Sequence, residues 1–87
     1  MALVKRMQVT VHFYSYFKEL TGNDTIVEPI TEGETLGKVL DRLAARYPRL
    51  GAMRKSILAA VGVDYQTADY VLQDGNEVSL FPPVQGG

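Results

Sequence analysis

The sequence predicts an α+β domain: a mixed sheet of four to five strands with one main helix packed across it. Three observations carry this. Residues 8–14 and 77–81 alternate apolar and polar side chains at the period of two that a half-buried strand requires. Residues 36–47 carry the only long apolar stripe at helical spacing. Turn clusters, rather than a second long helix, fill much of what remains.

The elements follow in order. Val9, Val11 and Phe13 alternate with Gln8, Thr10, His12 and Tyr14, which makes the first strand. Tyr16 to Leu20 breaks that alternation and reads as a short helical turn, and Thr21-Gly22-Asn23-Asp24 is a turn cluster. Residues 25–30 form a second strand, antiparallel to the first. Pro29 confines it to a sheet edge or to its own last residues, because proline donates no ladder bond. Thr35 stands at the N-cap of the helix, where its hydroxyl accepts from a first-turn amide. Leu36, Val39, Leu40, Leu43 and Tyr47 form the buried stripe, and Lys38, Asp41, Arg42, Ala45 and Arg46 fill the other face. Arg46 suits the negative end of the helix dipole, and Pro48 ends the helix by excluding its predecessor from the α region.

Residues 49–55 read as irregular, with room for a short helical turn. Residues 57–63 are an apolar run of strand length, and residues 64–68 read as a turn. Val71-Leu72 reads as a short strand or bridge. Gln73-Asp74-Gly75-Asn76 is a turn in which Gly75 supplies a positive φ. Residues 77–81 are the last strand, which Pro82-Pro83 ends. Two strands, a helix and two or three further strands suggest the ubiquitin-like β-grasp, with the first and last strands side by side in the middle. The domain proper is expected at residues 7–81, between an extension at 1–6 and a tail at 82–87. Met7 is a candidate alternative start.

Composition narrows the function. Eighty-seven residues make one domain with a small core. A net charge of −1 argues against nucleic-acid binding, which needs a basic excess. The absence of cysteine excludes disulfides, thiolate metal sites and any thioester or persulfide carried by this chain. No apolar run approaches the ~20 residues of a membrane span, and no signal peptide is visible, so the expected location is the cytoplasm. No cofactor-binding or metal-ligating set is expected.

The reactive group that stands out is the terminal carboxylate of Gly87. Two glycines at a terminus arise by chance in about 1 in 200 chains, so Gly86-Gly87 alone decides nothing. The context decides more: Phe81-Pro82-Pro83-Val84-Gln85-Gly86-Gly87 follows directly on a strand. Glycines let a backbone enter a narrow site, and the diproline stiffens the root. From Pro82 the tail can span at most about 20 Å. A carboxylate is a poor electrophile. Adenylation by ATP gives it a good leaving group, and a sulfur donor can then displace AMP to leave a thiocarboxylate. The plain alternative is a frayed terminus that does nothing.

These residues resemble a known family. Phe13, Glu19-Leu20-Thr21-Gly22, Thr35-Leu36, Tyr47-Pro48, Ala59-Ala60-Val61, residues 72–78 and above all the ending from Phe81 to Gly87 are similar to the small, sulfur-carrying subunit of molybdopterin synthase. Gly62 stands where the family commonly has Asn, and Asn76 where it commonly has Asp. The resemblance implies that a ubiquitin-activating-like adenylyltransferase uses ATP to adenylate Gly87, that a sulfurtransferase supplies sulfur, and that Gly86 and Gly87 enter the large synthase subunit. Sulfur would then pass to cyclic pyranopterin monophosphate within a heterotetramer, the carrier itself being non-catalytic. The resemblance also implies a docking surface of Tyr14, Tyr65 and Phe81, continued by Pro82, Pro83 and Val84.

Other readings stand beside these. Tyr14 and Tyr65 equally suit capping of the core edge. Lys18, Asp41, Glu32 and Glu34 read as solvated charges, and His12 as an exposed side chain without the companions that metal binding or acid–base chemistry needs. A sulfur carrier for thiamin or cysteine synthesis, a ubiquitin-like modifier and a binding module with an idle tail are the competing functions.

Overall fold

The computed structural model describes residues 6–83. The tail residues Val84, Gln85, Gly86 and Gly87, and all but Arg6 of the 1–6 extension, lie outside the described residues. The elements are β1 (Met7–Phe13), α1 (Phe17–Thr21), β2 (Thr25–Ile30), α2 (Leu36–Arg46), α3 (Pro48–Gly51), a 3-10 turn (Arg54–Ser56), β3 (Leu58–Val61), β4 (Asp64–Tyr65) and β5 (Glu77–Phe81). The five strands form one sheet in the order β2-β1-β5-β3-β4. Only β1 and β5 run parallel; the other neighbours are antiparallel. This is the ubiquitin-like β-grasp. Among the described residues no helix is long and apolar enough to cross a membrane.

Alternation sorts the side chains as the sequence predicts. Val9, Val11 and Phe13 of β1, Val78 and Leu80 of β5, and Ala59 and Val61 of β3 face the helix and are buried. Helix α2 answers with Leu36, Val39, Leu40 and Leu43, all buried, and Tyr47 sets its ring edge-on to Phe13 at 6.1 Å. The Thr35 hydroxyl accepts from the Lys38 amide, and Arg46 stands in the last turn. Pro29 lies on β2, an edge strand, as its missing donor demands. Gly75 has φ 85°, in the turn that leads into β5.

Three expectations are corrected. Residues 57–63 are not all strand: β3 stops at Val61, and Gly62-Val63 form a two-residue hairpin turn in which Gly62 takes φ 63°. Residues 64–68 are accordingly not all turn, because Asp64 and Tyr65 pair with Val61 and Ala60 as β4. Glu34 is not a solvated charge. Its side chain is buried against Arg42, whose Nη1 donates to its Oε2 at 2.6 Å. Asp41 and Glu32 are exposed as expected, although Asp41 does pair with Arg54 at 2.8 Å.

The sequence reading passed over Glu28. Strand alternation points it inward between Ile26 and Ile30, and its side chain is only 2% exposed. Arg46 donates to both its oxygens at 2.8 Å, and Arg42 Nε donates to Oε2 at 2.7 Å. Arg42 also reaches the Pro29 carbonyl at 2.8 Å. Two arginines four residues apart on α2 therefore clamp the edge strand β2 to the helix. Burial pushes the Glu28 carboxyl up, but the hydrogen bonds and charges of Arg46 and Arg42 outweigh it and hold the group below the ordinary carboxylate value. Glu34 is also held low, mainly by its bond from Arg42.

A lowered carboxyl pKa contributes stability above the unfolded value and loses it as pH falls through the folded one. Glu28→Gln is expected to cost about 2 kcal/mol at pH 7, less than a fully buried pair because both arginines are partly exposed. Urea denaturation from pH 7 down to about pH 3 should show the wild type losing that margin and the variant losing less of it. Equal acid sensitivity of the two proteins would refute the clamp.

Candidate functional site: the aromatic end of the open sheet face

The sheet has one face under the helices and one left open. On the open face Tyr14, Tyr65 and Phe81 come together. The parallel register pairs Phe13 with Leu80, and the Tyr14 amide continues the ladder to the Leu80 carbonyl at 3.1 Å. Tyr14 thereby stands beside Phe81, and their rings stack with centroids 4.7 Å apart and planes 13° from parallel. The β3–β4 hairpin brings Tyr65 against the other side, edge-on to Phe81 at 6.2 Å. Offset or edge-on contacts of this kind favour the aromatic quadrupoles.

These rings are not core. Tyr14 is 40% exposed and Tyr65 68%, whereas their neighbours Phe13 and Leu80 on the other face are buried. The reading of Tyr14 and Tyr65 as caps on the core edge does not hold, since both rest on Phe81 and on the open face. Phe81 is half-buried beneath them, and Pro82 and Pro83, also half-buried, leave directly from it. The structure thus joins five of the eight sequence-derived site residues: Tyr14, Tyr65, Phe81, Pro82 and Pro83. Val84, Gly86 and Gly87 lie outside the described residues.

His12 differs from its expected free exposure. It points to the open face, but its side chain is only 30% exposed and both ring nitrogens are engaged. Nε2 lies 2.6 Å from Glu77 Oε1 and Nδ1 lies 3.2 Å from Thr25 Oγ1. Its ring is 6.4 Å from that of Tyr14. Glu77 was no candidate in the sequence. The only available signal was its place at the start of β5, which becomes informative once the parallel register is known. Among the described residues no three His, Cys, Asp or Glu side chains group to hold a metal ion. A groove at the opposite pole, between Met7, Pro29, Ile30, Val71 and Leu72, gathers none of the candidate residues.

A β-grasp domain with an exposed aromatic cluster beside its last strand sets the chain among the small ubiquitin-like proteins. A family model described as the ThiS family matches residues 11–87, and the chain belongs to that family. It is 35% identical to the molybdopterin synthase sulfur carrier subunit of Escherichia coli, over 91% of this chain and 99% of that one. It is 30% identical to small archaeal modifier protein 3 of Haloferax volcanii, over 93% of this chain and all of that one. The crystal structure of Haloferax volcanii small archaeal modifier protein 1 superposes with a TM-score of 0.80 at 21% identity, over 90% of this chain and 99% of that one, which supports the fold alone.

The placement of the rings has a direct consequence for stability. Tyr65→Ala is expected to shift unfolding by no more than about 0.5 kcal/mol, as for other exposed surface positions. Leu80→Ala, one residue before Phe81 but on the buried face, is expected to cost about 2–5 kcal/mol. Urea denaturation of the two variants checks the contrast. A large loss in Tyr65→Ala would return the ring to the core.

Proposed function

We propose that this chain is the sulfur-carrier subunit of a molybdopterin synthase, with the carboxylate of Gly87 as its working group. The observation that carries the reading is the solvent-facing stack of Tyr14, Phe81 and Tyr65 at the root of the tail. An exposed aromatic patch beside polar residues is the mark of a surface that another protein covers. In this reading a partner seated there also takes up the residues that follow Pro83. Membership of the ThiS family and the similarity to curated carrier subunits support the same reading.

A Gly87 carboxylate oxygen attacks the α-phosphorus of ATP in an adenylyltransferase, releasing pyrophosphate. A sulfide equivalent from a donor protein attacks the acyl carbon, and AMP leaves with the bridging oxygen. The thiocarboxylate is then carried to the large synthase subunit. There its sulfur attacks a side-chain carbon of cyclic pyranopterin monophosphate, the carbon–oxygen bond at that carbon breaks and its oxygen leaves, and water then cleaves the acyl–sulfur bond, so that sulfur stays on the pterin and the carboxylate is restored. Two rounds supply the two sulfurs of the dithiolene. Glycines suit both enzymes because no side chain blocks the approach. In this reading the carrier supplies no acid, base or metal, and cofactors belong to its partners.

A second reading rests on the 30% identity with an archaeal modifier protein. There the same acyl-adenylate would be displaced by a lysine amine of a target, giving an isopeptide instead of a thiocarboxylate. Incubation with the cognate activating enzyme, ATP and a sulfur source separates the two. The expected product is heavier by about 16 Da at Gly87, sulfur replacing oxygen. Intact-protein mass spectrometry should find no such product for a chain lacking Gly87. Conjugates to other proteins without the mass shift would favour the modifier, and no shift with the correct enzyme would sink the carrier.

A further inference from the structure

A second exposed ring stands at the root of the tail, on the side away from the aromatic stack. It belongs to Tyr16, which is 42% exposed. The registers locate it. Tyr14 lies beside Phe81 on one flank of β5, and Leu58 pairs with Phe81 on the other. One position further along, Ser15 and Ile57 therefore flank Pro82. Tyr16 follows Ser15, and Met53 stands four residues before Ile57. The Tyr16 hydroxyl reaches the Met53 sulfur at 3.6 Å, so this pair bridges the end of the sheet. The Tyr16 ring lies edge-on to buried Phe17 at 5.5 Å, and Met53 packs against the core. Both contacts are on the helix side. Pro82 thus leaves between the Tyr14–Phe81–Tyr65 stack on the open face and the Tyr16–Met53 pair on the other.

A strained residue puts the ring there. Side chains two apart on a strand share a face, so a continuing β1 would place Tyr16 on the open face with Tyr14. Ser15 breaks the rule. Its φ is 56°, and among the described residues it is the only one other than glycine with a positive φ. That backbone is unfavourable for any residue with a Cβ, and such outliers cluster at binding and active sites. Here the turn sends Tyr14 and Tyr16 to opposite sides of the tail root.

The chemistry of the second patch suits a carboxylate. A phenol is a good donor, and the thioether it meets is a weak acceptor. Lys55, two residues after Met53, is exposed, and so is Lys18, two residues after Tyr16. Among the described residues neither lysine is in an ion pair. A specific interface covers about 800 Å² on each partner, a disc of about 16 Å radius, so one protein seated at Pro82 spans both patches.

We propose that the large synthase subunit holds the tail root from both sides and sets an acidic side chain against the Tyr16 hydroxyl and the Lys55 ammonium. This rests on the sulfur-carrier reading above and adds a second contact surface to it. Of the two enzymes that receive the tail in that reading, the synthase keeps the carrier as a subunit, and lasting complexes cover more surface than transient encounters. On docking, the Tyr16 hydroxyl exchanges a weak bond to sulfur for a charge-assisted bond to a carboxylate. Lys55 adds attraction that salt screens.

The test is binding of the full-length carrier to its large synthase subunit, by calorimetry and by stopped-flow association at ~50 mM and ~500 mM salt. Tyr16→Phe removes the hydroxyl and keeps the ring. It is expected to raise Kd about tenfold, through faster dissociation, and to leave urea denaturation unchanged. Lys55→Glu is expected to slow association about tenfold at low salt, with the difference closing at high salt. Both variants are expected to be adenylated by the activating enzyme at the wild-type rate. Wild-type binding by either variant overturns this proposal alone. Slowed adenylation with normal synthase binding also overturns it, because the patch then serves the activating enzyme. A wild-type carrier that does not bind the synthase subunit at either salt concentration overturns the carrier reading, and this proposal with it.

Discussion

Strands β1 and β5 run parallel at the centre of the sheet, and a parallel pair cannot be closed by a tight turn. The chain leaves β1 at one end of the sheet and must return to the other end before β5 can begin. It spends residues 14–76 doing so, on an edge hairpin, a helix across one face and a second hairpin. The rest of the architecture answers to that pairing. The helix covers the face that Val9, Val11, Phe13, Val78 and Leu80 make apolar. The opposite face stays open because the crossover has already used α2, the one long amphipathic helix among the described residues.

The same pairing builds the candidate site. Register alone puts Tyr14 beside Phe81, and it puts His12 within hydrogen-bond reach of Glu77. A shift of one residue would turn every side chain of β5 over, sending Phe81 inward and Leu80 outward. The core residues Val78 and Leu80 forbid that, so packing on one face enforces the geometry of the other. The Glu28 clamp acts at the margin of this arrangement. It fastens β2, an edge strand, to the helix with charge-assisted bonds from Arg42 and Arg46 where an apolar contact would otherwise stand.

The open face then has two parts with different physics. The stack of Tyr14, Phe81 and Tyr65 offers exposed aromatic area, and Pro82 and Pro83 leave directly from it. The His12–Glu77 pair offers polar groups, already held to each other and to Thr25 by hydrogen bonds.

By itself the sequence determined what depends on neighbours along the chain. The alternation of residues 8–14, the stripe from Leu36 to Tyr47, the Thr35 cap and the Pro48 stop are local patterns, and each appears in the structure as read. So does the diproline root after Phe81, and the family resemblance lay in the same local motifs. What only the tertiary structure decided is what lies far apart in sequence. Residues 14, 65 and 81 meet through two strand registers, 12 and 77 through one, and 28 with 42 and 46 through helix–sheet packing. Glu28 looked like one more strand residue and Glu34 like a solvated acid, because a charge shows its partner only when the chain is folded around it. Periodicity fixes which face a side chain takes; only the folded registers fix which side chain it meets there.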